Sequence, residues 1–332
     1  MKILVVRRDN IGDLVCTTPL FAALRRRFPQ AWLGALVNSY NAPVLERNPD
    51  LDAVISYRKL KHLEPGESAL PALARRAASL WKLRRMQLDV VALAAPGAAT
   101  RGLALARWLK PAKIAGYDDG SPRAAAIDLR VPHAALRGGH EVEQVFALAR
   151  LLGAEGGIPP LVVKPDGAEV EKARAAFGAR TGRRVAVHIS ARRPSQRWPA
   201  ERYVELIRKL EAPVMLLWSP GAADHPQHPG DDDKAAAIAR ELGEAVVPYR
   251  TARLAELIGA LAACDEAILS DGGAMHLAAA LGRPMVALFG DSSVEHWRPW
   301  GVAHRIARAD SGDVADLQAE SVLAAYRDLR SA

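Results

Sequence analysis

Lys2-Ile3-Leu4-Val5-Val6-Arg7-Arg8-Asp9-Asn10-Ile11-Gly12-Asp13 opens the chain with an apolar run that stops at two arginines and passes into an amphipathic stretch containing Thr17-Thr18-Pro19. An apolar run of strand length, a Gly-containing turn and a helical pattern in that order begin a βαβ unit. Far downstream, Ser270-Asp271-Gly272-Gly273-Ala274-Met275-His276 repeats the event. Each break presents backbone N–H groups and the positive end of a helix above the carboxyl edge of a sheet. Two such breaks, one near each end of the chain, predict two α/β halves facing a central cleft. The first carries an acid and the second is glycine-rich, which suits a base on one side and a phosphate on the other.

Outward from these breaks the alternation continues. Strand-like runs fall at residues 2–7, 32–37, 53–56, 89–94 and 113–116, with helical patterns at 14–28, 43–48, 70–85, 100–109 and 141–152. The stretch Gly156-Gly157-Ile158-Pro159-Pro160, running on to Pro165-Asp166-Gly167, marks a boundary. The pattern then restarts, with strands at 185–189, 214–218, 245–247, 267–270 and 285–289 and helices at 200–210, 234–242, 253–263 and 274–281. A last amphipathic helix covers 314–329. The expectation is an α/β fold of two Rossmann-like, doubly wound parallel-sheet domains, residues 1–158 and 159–313, followed by a final helical segment, 314–332.

A chain of 332 residues is long enough for about two domains with their own cores. Its 50% apolar and 25% charged residues describe a globular protein. Cys16 and Cys264 are too few for a disulfide framework, which points to a reducing compartment. No apolar stretch reaches the ~18 residues of a spanning helix, and Arg7 and Arg8 cut the first run short of a signal-peptide core. The expectation is a cytoplasmic protein, or one bound to a membrane face without crossing it. The net charge of +8 calls for an anionic partner. Between residues 56 and 85, Arg58, Lys59, Lys61, Arg75, Arg76, Lys82, Arg84 and Arg85 face only Glu64 and Glu67. That excess reads either as a solvated helix face or as a surface for anions. Nucleic acid is a poor fit, because the chain has no Cys/His finger, basic zipper or aromatic RNA-binding signature.

Asp13 has two readings. It is an acid in the first turn of a helix, favoured by the dipole, or a general base on the cleft wall held by a tight turn at Gly12. At Asp271-Gly272-Gly273 the glycines either fit a tight turn or let a diphosphate approach the N–H groups of Gly273, Ala274 and Met275. His276 adds a donor or is a satisfied interior histidine. In the turn from Ser190 to Pro199, hydroxyls at Ser190 and Ser195 and the Arg197 guanidinium form an oxyanion clamp, with Trp198 as a core anchor. Residues 224–233 carry His225, His228 and several acids, but their spacing matches no familiar metal-ligand pattern. The acids are expected before a helix, or one of them accepts from a ribose.

Taken together, RRDNIGDLVCTTPL at 7–20, RWP at 197–199 and SDGGAMHLAAALGRPMVALFG at 270–290 resemble the motifs of glycosyltransferase family 9, the ADP-heptose:lipopolysaccharide heptosyltransferases. The resemblance covers nearly the whole chain. It implies the GT-B architecture, with the acceptor held by the first domain, the nucleotide by the second, and the final helix packing back on the N-terminal domain. It makes Asp13 the catalytic base and places Asn10, Gly12, Arg58, Lys59 and Lys61 on the acceptor side. It puts Ser190, Arg192, Gln196, Arg197, Asp271, Gly272, Gly273, Ala274 and His276 on the donor nucleotide and its phosphates. Two positions depart from the family: Gln196 stands where a Lys is common, and Asp291-Ser292-Ser293-Val294 where Pro-Thr-Asp-Pro is common. Arg197 or Arg192 then takes over neutralisation of the leaving phosphate.

The activity so implied is an inverting transfer of heptose from ADP-heptose to a hydroxyl of lipopolysaccharide core. It calls for no cofactor and no metal, a nucleotide sugar and an anionic lipid-linked acceptor as partners, a monomeric protein, and a peripheral place on the inner face of the cytoplasmic membrane. The nearest rival is another sugar-nucleotide enzyme of the same fold, a UDP-sugar transferase or an epimerase. A nicotinamide oxidoreductase would carry Gly-x-Gly-x-x-Gly after the first strand, where this chain has a single glycine.

Overall fold

The computed structural model describes residues 1–57, 69–96, 102–224 and 230–331. The chain divides into two compact units, Met1–Val162 and Val163–Ala332, so the division falls at 162/163 rather than 158/159.

In the first unit β1 (Lys2–Val6), β2 (Trp32–Asn38), β3 (Ala53–Tyr57), β4 (Val90–Leu93), β5 (Lys113–Asp118) and β6 (Leu129–Pro132) form one parallel sheet in the order β3-β2-β1-β4-β5-β6. Leu4 at its centre lies between Gly34 and Val91. The strands read as continuous apolar runs because helices cover both faces of such a sheet. The second unit repeats the plan with β7 (Val185–His188), β8 (Val214–Trp218), β9 (Val246–Arg250), β10 (Glu266–Ser270), β11 (Met285–Phe289) and β12 (His304–Arg308), in the order β12-β11-β10-β7-β8-β9. Ile268 sits between Val187 and Val286. Counted within each unit, both sheets have the doubly wound order 3-2-1-4-5-6. The crossovers reverse direction between β1 and β4 in one sheet and between β7 and β10 in the other, opening a crevice at the carboxyl ends of those strands.

Several expectations need correction. The helix expected over 14–28 is two helices, α1 (Ile11–Cys16) and α2 (Thr18–Arg27), because Pro19 in the first turn of α2 starts a new helix and cannot continue the previous one. Gly12 is therefore inside α1, not in a turn. The pattern at 43–48 is a short 3₁₀ turn, Ala42–Val44. Both β6 and β12 escaped detection, since edge strands with partly exposed residues lack an apolar run. Helix α3 (Ala69–Arg85), α4 (Leu103–Leu109) and α5 (Glu141–Leu151) follow in the first unit, and α6 (Gly167–Ala176) opens the second. Asp166 and Gly167 had the look of linker; the Asp166 carboxylate instead caps α6, accepting from the Ala168 amide at 2.9 Å.

After α7 (Ala200–Arg208), α8 (Asp232–Leu242), α9 (Leu254–Ala263), α10 (Gly273–Ala280) and α11 (Val294–Trp297), the chain ends in α12 (Ala319–Ser331). This helix packs within the second unit. Val322, Leu323, Tyr326 and Leu329 join the second unit's core with Val185, Leu206 and Val286, and the helix lies on α7, β11 and β12. The 3–4 residue spacing of that apolar stripe gives it one face to bury, and the nearest sheet receives it. Polar contacts fix the fit: the Tyr326 hydroxyl donates to buried Glu266 Oε2 at 2.6 Å, and Arg183 Nε meets Glu266 Oε1 at 3.0 Å. Among the described residues no helix is long and apolar enough to cross a membrane.

Candidate active site

Each switch point carries a built constellation. At the first, Asn10 caps α1, and Asp13, three residues on, turns its Oδ2 back to accept from the Asn10 amide at 3.1 Å. Its other oxygen, Oδ1, takes Arg7 Nη2 at 2.8 Å. Asp13 is thus a first-turn acid whose two oxygens are both held in place. Arg7 was given no role in the site by the sequence, yet it organises the whole loop. The side chain is 2% exposed. It joins Glu141 Oε1 at 2.7 Å and Asp9 Oδ2 at 3.2 Å, and donates through Nη1 to the Ala94 carbonyl at the end of β4. Burial opposes its charge, but Glu141, Asp13 and Asp9 more than offset that and raise its pKa. Three carboxylates around one guanidinium leave the loop net negative, and Asp13 is still 15% exposed.

The backbone of the loop is held as firmly. Asn38 Nδ2, at the end of β2, donates to the Arg8 carbonyl at 2.7 Å, Asn41 Nδ2 to that of Asp9 at 3.2 Å, and the Tyr40 hydroxyl also to Asp9. The sequence signal for these residues was an Asn-Ser-Tyr-Asn run directly after a strand that neighbours β1. Arg58, Lys59 and Lys61, expected on the acceptor side, lie outside the described residues.

At the second switch point the loop after β7 meets the loops after β10 and β11. Gln196 is buried and donates to Asp271 Oδ2 at 2.9 Å and to Ser292 Oγ at 3.2 Å. Ser195 Oγ donates to Asp291 at 2.8 Å, and Arg193 reaches Ser292 Oγ at 3.4 Å. Burial raises the Asp271 pKa, against hydrogen bonds from Ser292 and Gln196 and the charge of Arg193. The two positions that depart from the family pattern are therefore in contact with each other. Gly290 permits this junction, because a Cβ there would stand 2.3 Å from the Ser195 carbonyl oxygen.

Gly272 adopts φ 157°, ψ −168° at the start of α10, a conformation that only glycine enters without strain. A Cβ built on it would meet nothing within 4 Å, so the space above the helix start is open. Gly273 and Ala274 begin α10; His276 lies buried one turn in, its ring edge-on to Trp297 at 5.8 Å. Trp198 is the core anchor expected, donating to the Leu317 carbonyl at 3.0 Å. Ser190 Oγ accepts from the Ser219 amide at 2.9 Å, and Arg197 Nε donates to the Ala191 carbonyl at 3.1 Å, while Arg192 is exposed.

Lys234 of α8 was not anticipated. Its ammonium donates to the Ile189 carbonyl at 3.2 Å beneath the same loop and stands 5.0 Å over the Tyr203 ring. Burial, aided by Arg197 and opposed by Asp231 and Glu201, lowers its pKa to about 8. Nearby His188 is pushed down to about 4 by burial and by Lys234. Asp232, a possible ribose acceptor by sequence, spends its oxygens on the Trp218 indole at 2.7 Å and the Gly221 amide at 2.9 Å. His225 and His228 of that loop lie outside the described residues.

The same architecture occurs in solved structures. The chain is similar to the glycosyl transferase family 9 protein of Veillonella parvula, with TM-score 0.81 at 17% identity over 99% of this chain and 96% of that one. It is also similar to the Escherichia coli heptosyltransferase WaaC with ADP, with TM-score 0.76 at 21% identity over 99% and 100%. The fold is α/β of the GT-B class. The model of glycosyltransferase family 9 (heptosyltransferase) matches residues 77–327. The chain belongs to that family and is a glycosyltransferase. Lipopolysaccharide heptosyltransferase 2 of Salmonella typhimurium is 26% identical over 94% of this chain and 89% of that protein.

Proposed function

We propose that this protein is an inverting transferase that moves a heptose from ADP-heptose to a hydroxyl of lipopolysaccharide core. The observation that carries the reading is Asp13, a carboxylate held from both oxygens at a switch point yet partly open to solvent. Each oxygen has a further lone pair for an incoming hydroxyl. Asp13 takes the proton as the acceptor oxygen bonds to the anomeric carbon, and the bond from that carbon to the diphosphate breaks on the opposite face. Asn10 and Gly12 bring α1 to the acceptor, and Arg58, Lys59 and Lys61 meet its phosphates at the inner-membrane surface. The nucleoside diphosphate leaves toward the N–H groups of Gly273 and Ala274, with Asp271, Gln196, Ser190, Arg192 and His276 lining its place. Preorganised donors and cations stabilise charge that grows on the leaving oxygen. The protein acts as a monomer.

The test is direct. Incubated with ADP-heptose and heptose-deficient lipopolysaccharide, the protein is expected to add one heptose, seen by mass spectrometry as a single mass increment, with the inverted anomeric configuration read by NMR of the product. Transfer from a UDP-sugar instead, or no product from either donor, overturns the reading.

Lys234 supplies the cation that Gln196 does not. The groups that face its ammonium are Asp231, Glu201, Arg197, His188 and Tyr203. Because folding lowers its pKa, Lys234 is charged below about pH 8 and neutral above, so anion affinity is present at low pH and lost as pH rises. Calorimetry of ADP binding is expected to weaken across that interval in the parent protein. Lys234→Met is expected to bind ADP about tenfold more weakly at neutral pH, as loss of one charge-assisted bond does, and to lose the pH slope. A slope that survives the substitution removes Lys234 from the phosphate site.

A further inference from the structure

The largest exposed hydrophobic side chains among the described residues are Met1 at 50%, Trp81 at 49%, and Leu73 and Trp108 at 40% each. Three of these four lie on α3 and α4, which pack together. Leu73, Ala77, Trp81 and Arg85 recur at every fourth position and so share one face of α3, while Leu83 turns into the core. From the other helix Trp108 stands beside Trp81, ring centroids 6.2 Å apart. Arg84 covers the Trp108 ring at 4.9 Å, and Arg85 the Trp81 ring at 5.4 Å. Residues 69–85 and 103–110 together hold Arg75, Arg76, Lys82, Arg84, Arg85, Arg107 and Lys110 and no acid, against a net +8 for the entire chain.

We infer that this paired-tryptophan face docks on an anionic phospholipid bilayer. Indoles with an apolar body and one N–H settle at the headgroup level, and a ring of Lys and Arg adds attraction to anionic lipid. Arginines laid over the rings keep the aromatic surface and the charge in one plane, as a membrane interface requires. Pairing with a second copy through this face would oppose two all-cationic surfaces, which like-charge repulsion disfavours. The inference adds a location to the membrane placement proposed above, and it rests on different residues.

Sedimentation of the full chain with phospholipid vesicles tests it, with neither sugar nucleotide nor acceptor present, so that its outcome is independent of the transfer reaction. Binding is expected to vesicles containing phosphatidylglycerol and to fall sharply on pure phosphatidylcholine. Brominated acyl chains should quench the tryptophan fluorescence of the bound protein. Trp81→Ala with Trp108→Ala should lower partitioning by about tenfold and remove most of that quenching, with an unchanged thermal midpoint. If the pair destabilises the fold, Arg85→Glu with Arg107→Glu carries the same expectation. Equal binding by parent and variants, equal binding to neutral lipid, or a concentration-dependent dimer that the tryptophan variants abolish overturns the inference.

Discussion

Asp13→Asn is expected to lower kcat by about 100- to 10,000-fold, the range over which a positioned base contributes, while ADP binding in calorimetry stays within about twofold. The amide keeps an oxygen that can accept from the Asn10 N–H, so the cap of α1 survives. Arg7 keeps Glu141 and Asp9 as charged partners, so the loop stays folded. What disappears is the carboxylate proposed above as the base. Turnover is measured by release of nucleoside diphosphate under saturating donor and acceptor. Activity within about tenfold of the parent would assign proton removal to another group.

The second large effect is structural. Arg7→Met should destabilise the first unit by about 3–5 kcal/mol, because it leaves buried Glu141 and its neighbours Asp9 and Asp13 without the cation they surround. Urea unfolding is expected to read this as an earlier transition of the first unit, and a chain of two units calls for a fit that does not assume two states. Arg7→Lys distinguishes charge from geometry. Lysine restores the charge but cannot serve Asp13, Glu141 and Ala94 at once, so it recovers part of the stability and little of kcat. A loss under about 1 kcal/mol in Arg7→Met would mean that the carboxylates find protons or other donors.

The alternation of strand and helix, the division into two halves and both switch-point loops were legible because parallel strands buried on both faces write unbroken apolar runs. Edge strands β6 and β12 were not, having few buried residues to pattern. Asp13, Asp271 and the Gly272-Gly273 turn were likewise visible, each being a chemically loaded residue at a strand-to-helix break. Arg7, Glu141, Asn38 and Lys234 were not. Their partners lie far away along the chain, as with Arg7 and Glu141 across 134 positions, and no local pattern encodes such a meeting.

The departures at Gln196 and at 291–294 looked independent in the sequence and prove to be one change in space. A buried amide donates to Asp271 and Ser292 where a lysine would have placed a charge. A charge at 196 would sit between Asp271 and the seryl hydroxyl, so replacing Gln196 alone by Lys trades two amide hydrogen bonds for a buried ion pair with Asp271.

The closing helix completes the half of the molecule from which it emerges. A joint made by recombination between residues 162 and 163 therefore carries α12, its seat on β11 and β12 and the Tyr326–Glu266 tie across as one inherited package. Related chains can exchange one half without rebuilding the hydrophobic interior of the other.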